Sequence, residues 1–280
     1  MPALPEIEVV RRDLEKEIVG RRIKDAEIRS GTNAMKVVPR HGRRKEFQEL
    51  LGGAKVESID RVGRRLLLIL DNEKILVVEL GEAGMLVKTS ASEEVVTHTH
   101  VVISFTIGGQ LRFIDPKMTG ELSVVDKAEI DGWRETVSTS IDPLSQQFTW
   151  VHFSALLEQR DAPMKEVLTD QEFILGLGDI YSDEILFNAG LRFDRPSNKL
   201  SSQDVRRLYR ALMETLQDAV KARGVSIDDS FKDLQGESGT YQLDLKVYER
   251  EGEACRRCRN AIEKVTVGSM TSYFCPQCQS

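Results

Sequence analysis

The sequence predicts an α+β fold: a β-rich first half, a helical second half and a small cysteine-bearing ribbon at the end. Three observations carry this. Short Val/Ile/Leu runs separated by turn dipeptides fill residues 55–114. Apolar residues recur at helical spacing after residue 150. All 4 cysteines lie beyond residue 254, in two Cys-x-x-Cys pairs.

Taken in order, the first element is a helix after Pro5. Ile7, Val10, Leu14 and Ile18 fall at steps of three and four on one face, and Gly20 follows as a C-terminal cap. Strand-like runs then occupy Lys55–Ile59, Arg64–Leu70, Ile75–Leu80, Val101–Ile107 and Leu111–Ile114. Asp71-Asn72 and Gly108-Gly109 sit between neighbouring runs as hairpin turns. A leading helix and several antiparallel strands indicate an N-terminal β-sandwich with flanking helices. Beyond it, Phe153, Leu156 and Leu157 form one helical stripe. Val205, Leu208, Leu212, Leu216 and Val220 form a longer one, stopped by Gly224. Between them Leu175-Gly176-Leu177-Gly178-Asp179-Ile180-Tyr181 is a glycine turn feeding a helix through Asn188. The expected division is 1–130 for the sandwich domain, 131–149 for a linker, 150–240 for the helical domain and 241–280 for the ribbon.

Composition narrows the class. Of the 280 residues 40% are hydrophobic, enough for a sizeable core, and the regular aliphatic runs argue against disorder. The longest apolar run, Leu66 to Leu70, is far too short to span a bilayer. The N-terminus lacks the basic-then-apolar pattern of a secretory signal. A reducing cytoplasm is therefore expected, which leaves the cysteines free for metal rather than disulfides. A net charge of -6 argues against a uniformly basic nucleic-acid face, but not against a local one. The Arg and Lys residues between Arg11 and Lys45 are either such a track or a solvated surface.

The strongest motif is Cys255-Arg256-Arg257-Cys258 with Cys275-Pro276-Gln277-Cys278, the pairs separated by sixteen residues. Each pair can aim two thiolates at one point, and a hairpin between the pairs closes a tetrahedron around one Zn2+. Four thiolates leave no open coordination position, so the metal is expected to be structural. Arg256, Arg257, Arg259 and Lys264 make the ribbon locally basic.

The N-terminus Met1-Pro2-Ala3-Leu4-Pro5-Glu6-Ile7-Glu8-Val9-Val10-Arg11-Arg12 resembles that of the bacterial formamidopyrimidine-DNA glycosylase / endonuclease VIII family. The likeness extends over the whole chain, through Asp115-Pro116, Gly176-x-Gly178-Asp179-Ile180-Tyr181, Val247-Tyr248-Glu249-Arg250-Glu251-Gly252 and the terminal ribbon. It implies a β-sandwich, a helix–two-turn–helix domain and a zinc finger. It also implies a monomer in the cytoplasm, associated with the nucleoid, that binds damaged or abasic double-stranded DNA and no membrane. The implied nucleophile is Pro2: loss of Met1 would expose a secondary amine able to attack sugar C1′. Glu6 would be the carboxylate that supports the site. Arg64 aligns with a β-hairpin lysine that contacts phosphate. His98, Lys117, Lys165 and Asp179 match DNA-contact positions.

Several family positions are altered. Where the family reads Pro-Glu-Leu-Pro-Glu, the proton-donating first glutamate is Ala3, and a methyl group cannot transfer a proton. His-Leu-Gly-Met-Ser-Gly becomes Glu79-Leu80-Gly81-Glu82-Ala83-Gly84, so a wedging methionine is replaced by Glu82, a carboxylate that is costly to bury in a base stack. Lys117-Met118-Thr119 follows Asp115-Pro116 in place of an arginine pair or Arg-Thr and a phenylalanine, which leaves Met118 as the substitute wedge. Asp179 replaces an asparagine and Met270 an arginine. Two readings follow: a repair protein with Pro2-dependent abasic-site lyase action and impaired base excision, or a non-enzymatic paralogue that binds damaged DNA or protein partners on the same scaffold.

Overall fold

The computed structural model describes residues 1–29, 34–136, 140–145, 148–227, 231–268 and 270–280. The chain divides into two compact units. Met1–Thr136 groups with Ala222–Thr240, and Val137–Lys221 groups with Tyr241–Ser280. Part of the expected linker, residues 137–139 and 146–147, lies outside the described residues.

In the first unit, helix α1 (Leu4–Ile18) precedes β1 (Ile23–Ile28), α2 (Arg44–Leu51) and β2 (Val56–Val62). Then follow β3 (Arg65–Leu70), β4 (Lys74–Glu79), β5 (Met85–Thr89), β6 (Thr99–Phe105), β7 (Gln110–Ile114), β8 (Glu121–Asp126) and α3 (Lys127–Thr136). The strands form two four-stranded antiparallel sheets, ordered β1-β6-β7-β5 and β2-β3-β4-β8. One core joins them. Leu66, Leu68, Leu76 and Val78 of the second sheet cluster with Val101, Ile103, Leu111 and Phe113 of the first, and with Ile7, Val10, Leu14 and Ile18 of α1. The predicted apolar face of the first helix is thus the face that is buried.

The second sheet is covered on its other side as well. Leu67, Ile75, Val77 and Val125 pack with Ile130 and Trp133 of α3. Burial on both faces is why β3 reads as an unbroken apolar run rather than an alternating one. Helix α3 crosses the expected boundary at residue 130, so that its last six residues fall in the expected linker. Residues 222–240 belong with the first unit: Phe231 and Leu234 enter its core, the Lys88 amide donates to the Leu234 carbonyl, and Arg223 pairs with Asp13 of α1.

In the second unit lie α4 (Trp150–Leu157), α5 (Met164–Thr169), α6 (Asp179–Ala189), α7 (Ser202–Lys221) and the hairpin β9 (Glu263–Val267) with β10 (Met270–Phe274). The glycine turn starts α6 with Gly178 as its N-cap, and Gly190 ends it in the left-handed region. On α7, Leu208, Leu212, Leu216 and Val220 of the predicted stripe are buried, whereas Val205 is half-buried.

Candidate functional site

Pro2 is buried at the entrance to α1, and Met1 is exposed. Ala3 holds the N-cap position but has no side-chain acceptor, so the helix is capped from within: Glu6 Oε2 accepts the Ala3 amide at 2.8 Å. The other oxygen, Glu6 Oε1, accepts the Val225 amide at 2.8 Å. Gly224 adopts φ +81, and a Cβ there would lie 2.7 Å from Glu6 Oε1, so only glycine fits beside this carboxylate. Glu6 therefore fixes the Pro2 segment from behind.

In front of Pro2 is a cavity of about 170 Å³, lined in part by Pro2, Arg64, Glu79, Gly81, Thr119 and Glu121. Arg64 is not the first residue of a strand, as the run Arg64–Leu70 implied. It sits in the two-residue turn between Val62 and Arg65, which are paired across the hairpin. Burial lowers the Arg64 pKa while the charge of Glu79 opposes this. Among the described residues Arg64 forms no ion pair, which leaves a guanidinium in the cavity that can meet an anion.

The 115–120 loop is shaped by Asp115, wholly buried. Its carboxylate accepts the amides of Lys117 at 3.0 Å and of Thr119 and Gly120 at 2.8 Å each. Thr119 Oγ1 accepts the Glu82 amide at 2.8 Å, tying this loop to the Gly81 turn. A Cβ on Gly81 would approach the Thr119 backbone to 2.4 Å, so the two loops touch as backbone. Gly81 and Thr119 thus form part of the cavity wall, with Asp115 holding the Thr119 loop from inside.

The other expected contact residues are distributed differently. His98 is exposed with φ +61, and its carbonyl accepts the Asp115 amide at 3.0 Å. Lys117 is exposed but paired with Glu82 at 3.1 Å. Met118 is half-buried against the core rather than free to wedge into a base stack. In the second unit Lys165 is wholly buried. Its Nζ donates to Asp183 at 2.9 Å and to the Asp179 carbonyl at 3.0 Å, so it serves as an internal ion pair rather than a surface cation. The Asp179 carboxylate is exposed at the start of α6, 3.4 Å from the Lys165 ammonium. A carboxylate there satisfies the helix dipole that an incoming phosphate would otherwise use.

The four cysteine sulfurs all lie within 4.8 Å of one another. A tetrahedral zinc with bonds of about 2.3 Å needs sulfurs roughly 3.8 Å apart. Cys255 and Cys278 are at 3.9 Å, and Cys258 and Cys275 at 3.4 Å, so the donor set and its spacing fit one structural Zn2+. The ribbon is fastened to α6 by two buried carboxylates. Asp183 accepts the Ser272 hydroxyl at 2.6 Å and the Tyr273 amide at 2.9 Å. Glu184 accepts the amides of Lys246, Val247 and Tyr248.

Glu121 is given no role by the sequence motifs, and Glu79 enters them only as the first residue of an altered segment. The signal that joins them is strand register: the two are direct partners across β4 and β8.

The N-terminal domain model of formamidopyrimidine-DNA glycosylase matches residues 1–122, its H2TH domain model residues 140–230, and the model of a zinc finger found in FPG and IleRS residues 252–280. The formamidopyrimidine-DNA glycosylase of Pelotomaculum thermopropionicum is 37% identical over 279 residues, covering 100% of this chain and 99% of the relative. That of Herpetosiphon aurantiacus is 34% identical over 280 residues, with 100% of each chain covered. Among solved structures, Lactococcus lactis Fpg in complex with DNA containing an abasic site superposes with a TM-score of 0.87 at 28% identity, covering 99% of both chains. Thermus thermophilus MutM (Fpg) gives 0.82 at 32% identity, covering 99% and 98%. With all three domain models matched and a full-length likeness to curated relatives, this chain belongs to the formamidopyrimidine-DNA glycosylase family.

Proposed function

We propose that this protein is a DNA-repair protein that binds damaged or abasic double-stranded DNA, cleaves at preformed abasic sites through Pro2, and excises bases poorly. The observation that carries this reading is the cavity itself: Pro2 and Arg64 share it, while position 3 offers only a methyl group. With Met1 removed, the Pro2 amine would attack C1′ of the open-chain abasic sugar and form an iminium, from which the strand is cut by elimination. The abasic site has already lost its base, so the leaving-group protonation that a glutamate at position 3 would supply is not needed there. Arg64 would hold the adjacent phosphate and Glu6 would keep Pro2 in place. His98 and Lys117 are the remaining candidate contacts in the first unit. Zinc would hold the ribbon and take no part in the reaction. Such a role places the chain with the nucleoid, and no helix among the described residues is long and apolar enough to cross a membrane.

Borohydride trapping on abasic duplex DNA tests this reading, with a chain whose N-terminal amine is blocked by acetylation as the control, because a glycine at position 2 would still present an imine-forming amine. Covalent trapping that requires Pro2 is expected. Tight binding without any trapping would instead identify a non-enzymatic damage binder.

A further inference from the structure

The cavity that holds Pro2 also holds an acid that the family motif does not put there. Glu79 and Glu121 are opposed on neighbouring strands and line the cavity together with Pro2 and Arg64. Directly opposed residues carry their Cβ atoms roughly 5 Å apart on one face, where two like charges destabilise a sheet. Here that repulsion is offset by Arg65 on Glu79 and by the nearby charges of Arg40 and Arg65, and both residues border the cavity beside position 3, which has lost its carboxylate. The two glutamates differ in surroundings. Glu79 is paired with Arg65 at 2.7 Å, whereas Glu121 forms no ion pair among the described residues. Glu82, the third carboxylate near the site, is exposed and neutralised by Lys117.

We propose that Glu121 is the proton donor of this site, acting at the abasic sugar in place of the carboxylate missing at position 3, with Glu79 as its positioning partner. This rests on the lyase reading above. The Pro2 nitrogen attacks C1′ of the aldehyde. The N–C1′ bond forms and the amine proton passes to the carbonyl oxygen, giving a carbinolamine. The C1′–O bond then breaks, and the oxygen leaves as water carrying the Glu121 proton. An iminium and the Glu121 carboxylate remain, so charge and atoms balance. The surroundings suit this task. Burial, and after it the charge of Glu79, raise the Glu121 pKa, while Arg40 and Arg65 oppose the rise. Arg64 is the other charged side chain at the cavity, and with Met1 removed the Pro2 amine would join it.

The test is the single-turnover borohydride trapping rate on abasic DNA across pH. It compares the native chain with Glu121→Gln, Glu79→Gln and the double variant Ala3→Glu/Glu121→Gln. Affinity for an uncleavable abasic analogue is measured in parallel as a check on folding. Glu121→Gln should slow trapping by about a hundredfold or more, the usual worth of a general acid. Ala3→Glu should restore much of the rate in that background, which a merely structural role for Glu121 would not allow. Glu79→Gln should move the high-pH limb of the profile to lower pH, because Glu121 then loses its proton sooner. Native-rate trapping by Glu121→Gln, a loss that Ala3→Glu leaves unrepaired, or an unmoved limb in Glu79→Gln overturns the assignment. A native chain that never traps overturns the lyase reading, and this inference with it. Pro2-dependent trapping that is indifferent to Glu121 overturns this inference alone.

Discussion

Glu8 is almost fully buried on α1, with Arg11 at 3.0 Å, Arg12 at 2.8 Å and Arg61 at 2.8 Å. Burial alone would raise its pKa, but hydrogen bonds from Arg11, Arg61 and Arg12 together hold it at about 2, against an ordinary 4.5. A carboxyl with a depressed folded-state pKa stabilises the fold above its unfolded value, and that stability is lost as pH falls toward the folded value. A shift of this size corresponds to roughly 3 kcal/mol. Glu8→Gln should therefore lower the melting temperature at neutral pH and flatten the decline in stability between about pH 5 and pH 2. Melting curves across that range check this, and an unchanged acid profile would refute it. The sequence shows Glu8 beside Arg11 and Arg12, but not Arg61, which arrives from a strand far along the chain. Lys165 illustrates the same limit. A lone lysine in a motif reads as a surface cation, and only the packing of α5 against α6 shows it buried with Asp183. Glu121 escapes sequence reading because only strand register sets it opposite Glu79 at the cavity that Pro2 also lines.

At the scale of elements, legibility followed burial. Helices α1 and α7 and strands β3 and β6 carry apolar stripes or runs that mark them directly. Strands β1 and β5 and helix α2 do not, and β8, although buried over its centre, is too short a run between Glu121 and Asp126 to mark itself. In Lys24-Asp25-Ala26-Glu27 of β1 and Arg44-Lys45-Glu46-Phe47 of α2, charged residues face solvent on short elements with few buried positions. The packing of segment 222–240 is hidden for a related reason: it has little regular structure, and it is attached through Phe231, Leu234 and the Arg223–Asp13 pair. The ribbon was legible from cysteine spacing alone, because metal geometry restricts spacing more tightly than packing does. Its core comprises Phe187, Val247, Cys255, Ile262 and Cys275, distinct from that of the sandwich. Cys258→Ser should accordingly lower the zinc content well below one equivalent and loosen the ribbon while the N-terminal unit stays folded. Metal analysis with hydrogen exchange measures both. Full zinc retention, or loss of protection throughout β2 to β8, would contradict this.

The chain keeps the family's fold yet carries a net charge of -6. Of the expected phosphate contacts, Lys165 is internal, Lys117 is paired with Glu82, and Met270 and Asp179 supply none. The slope of log affinity against log salt counts neutralised phosphates at roughly 0.9 each. Binding to abasic duplex should thus show a shallow slope, below the equivalent of about six phosphates, measured by titration at several salt concentrations. A steeper slope would mean that an unrecognised basic track carries the interaction.

On the proposed reading, strand cleavage in this protein has outlived base removal. Excision needs a proton at the departing base and a filler for the space of the flipped nucleotide, whereas Ala3, Glu82 and Thr119 supply neither well. The most direct measurement compares, for one preparation, single-turnover release of oxidised guanine from duplex DNA with cleavage of the same duplex carrying an abasic site. Efficient, Pro2-dependent cleavage at the abasic site is expected, with almost no base release and little improvement by Ala3→Glu. Release of oxidised guanine at a rate matching abasic-site cleavage would contradict it.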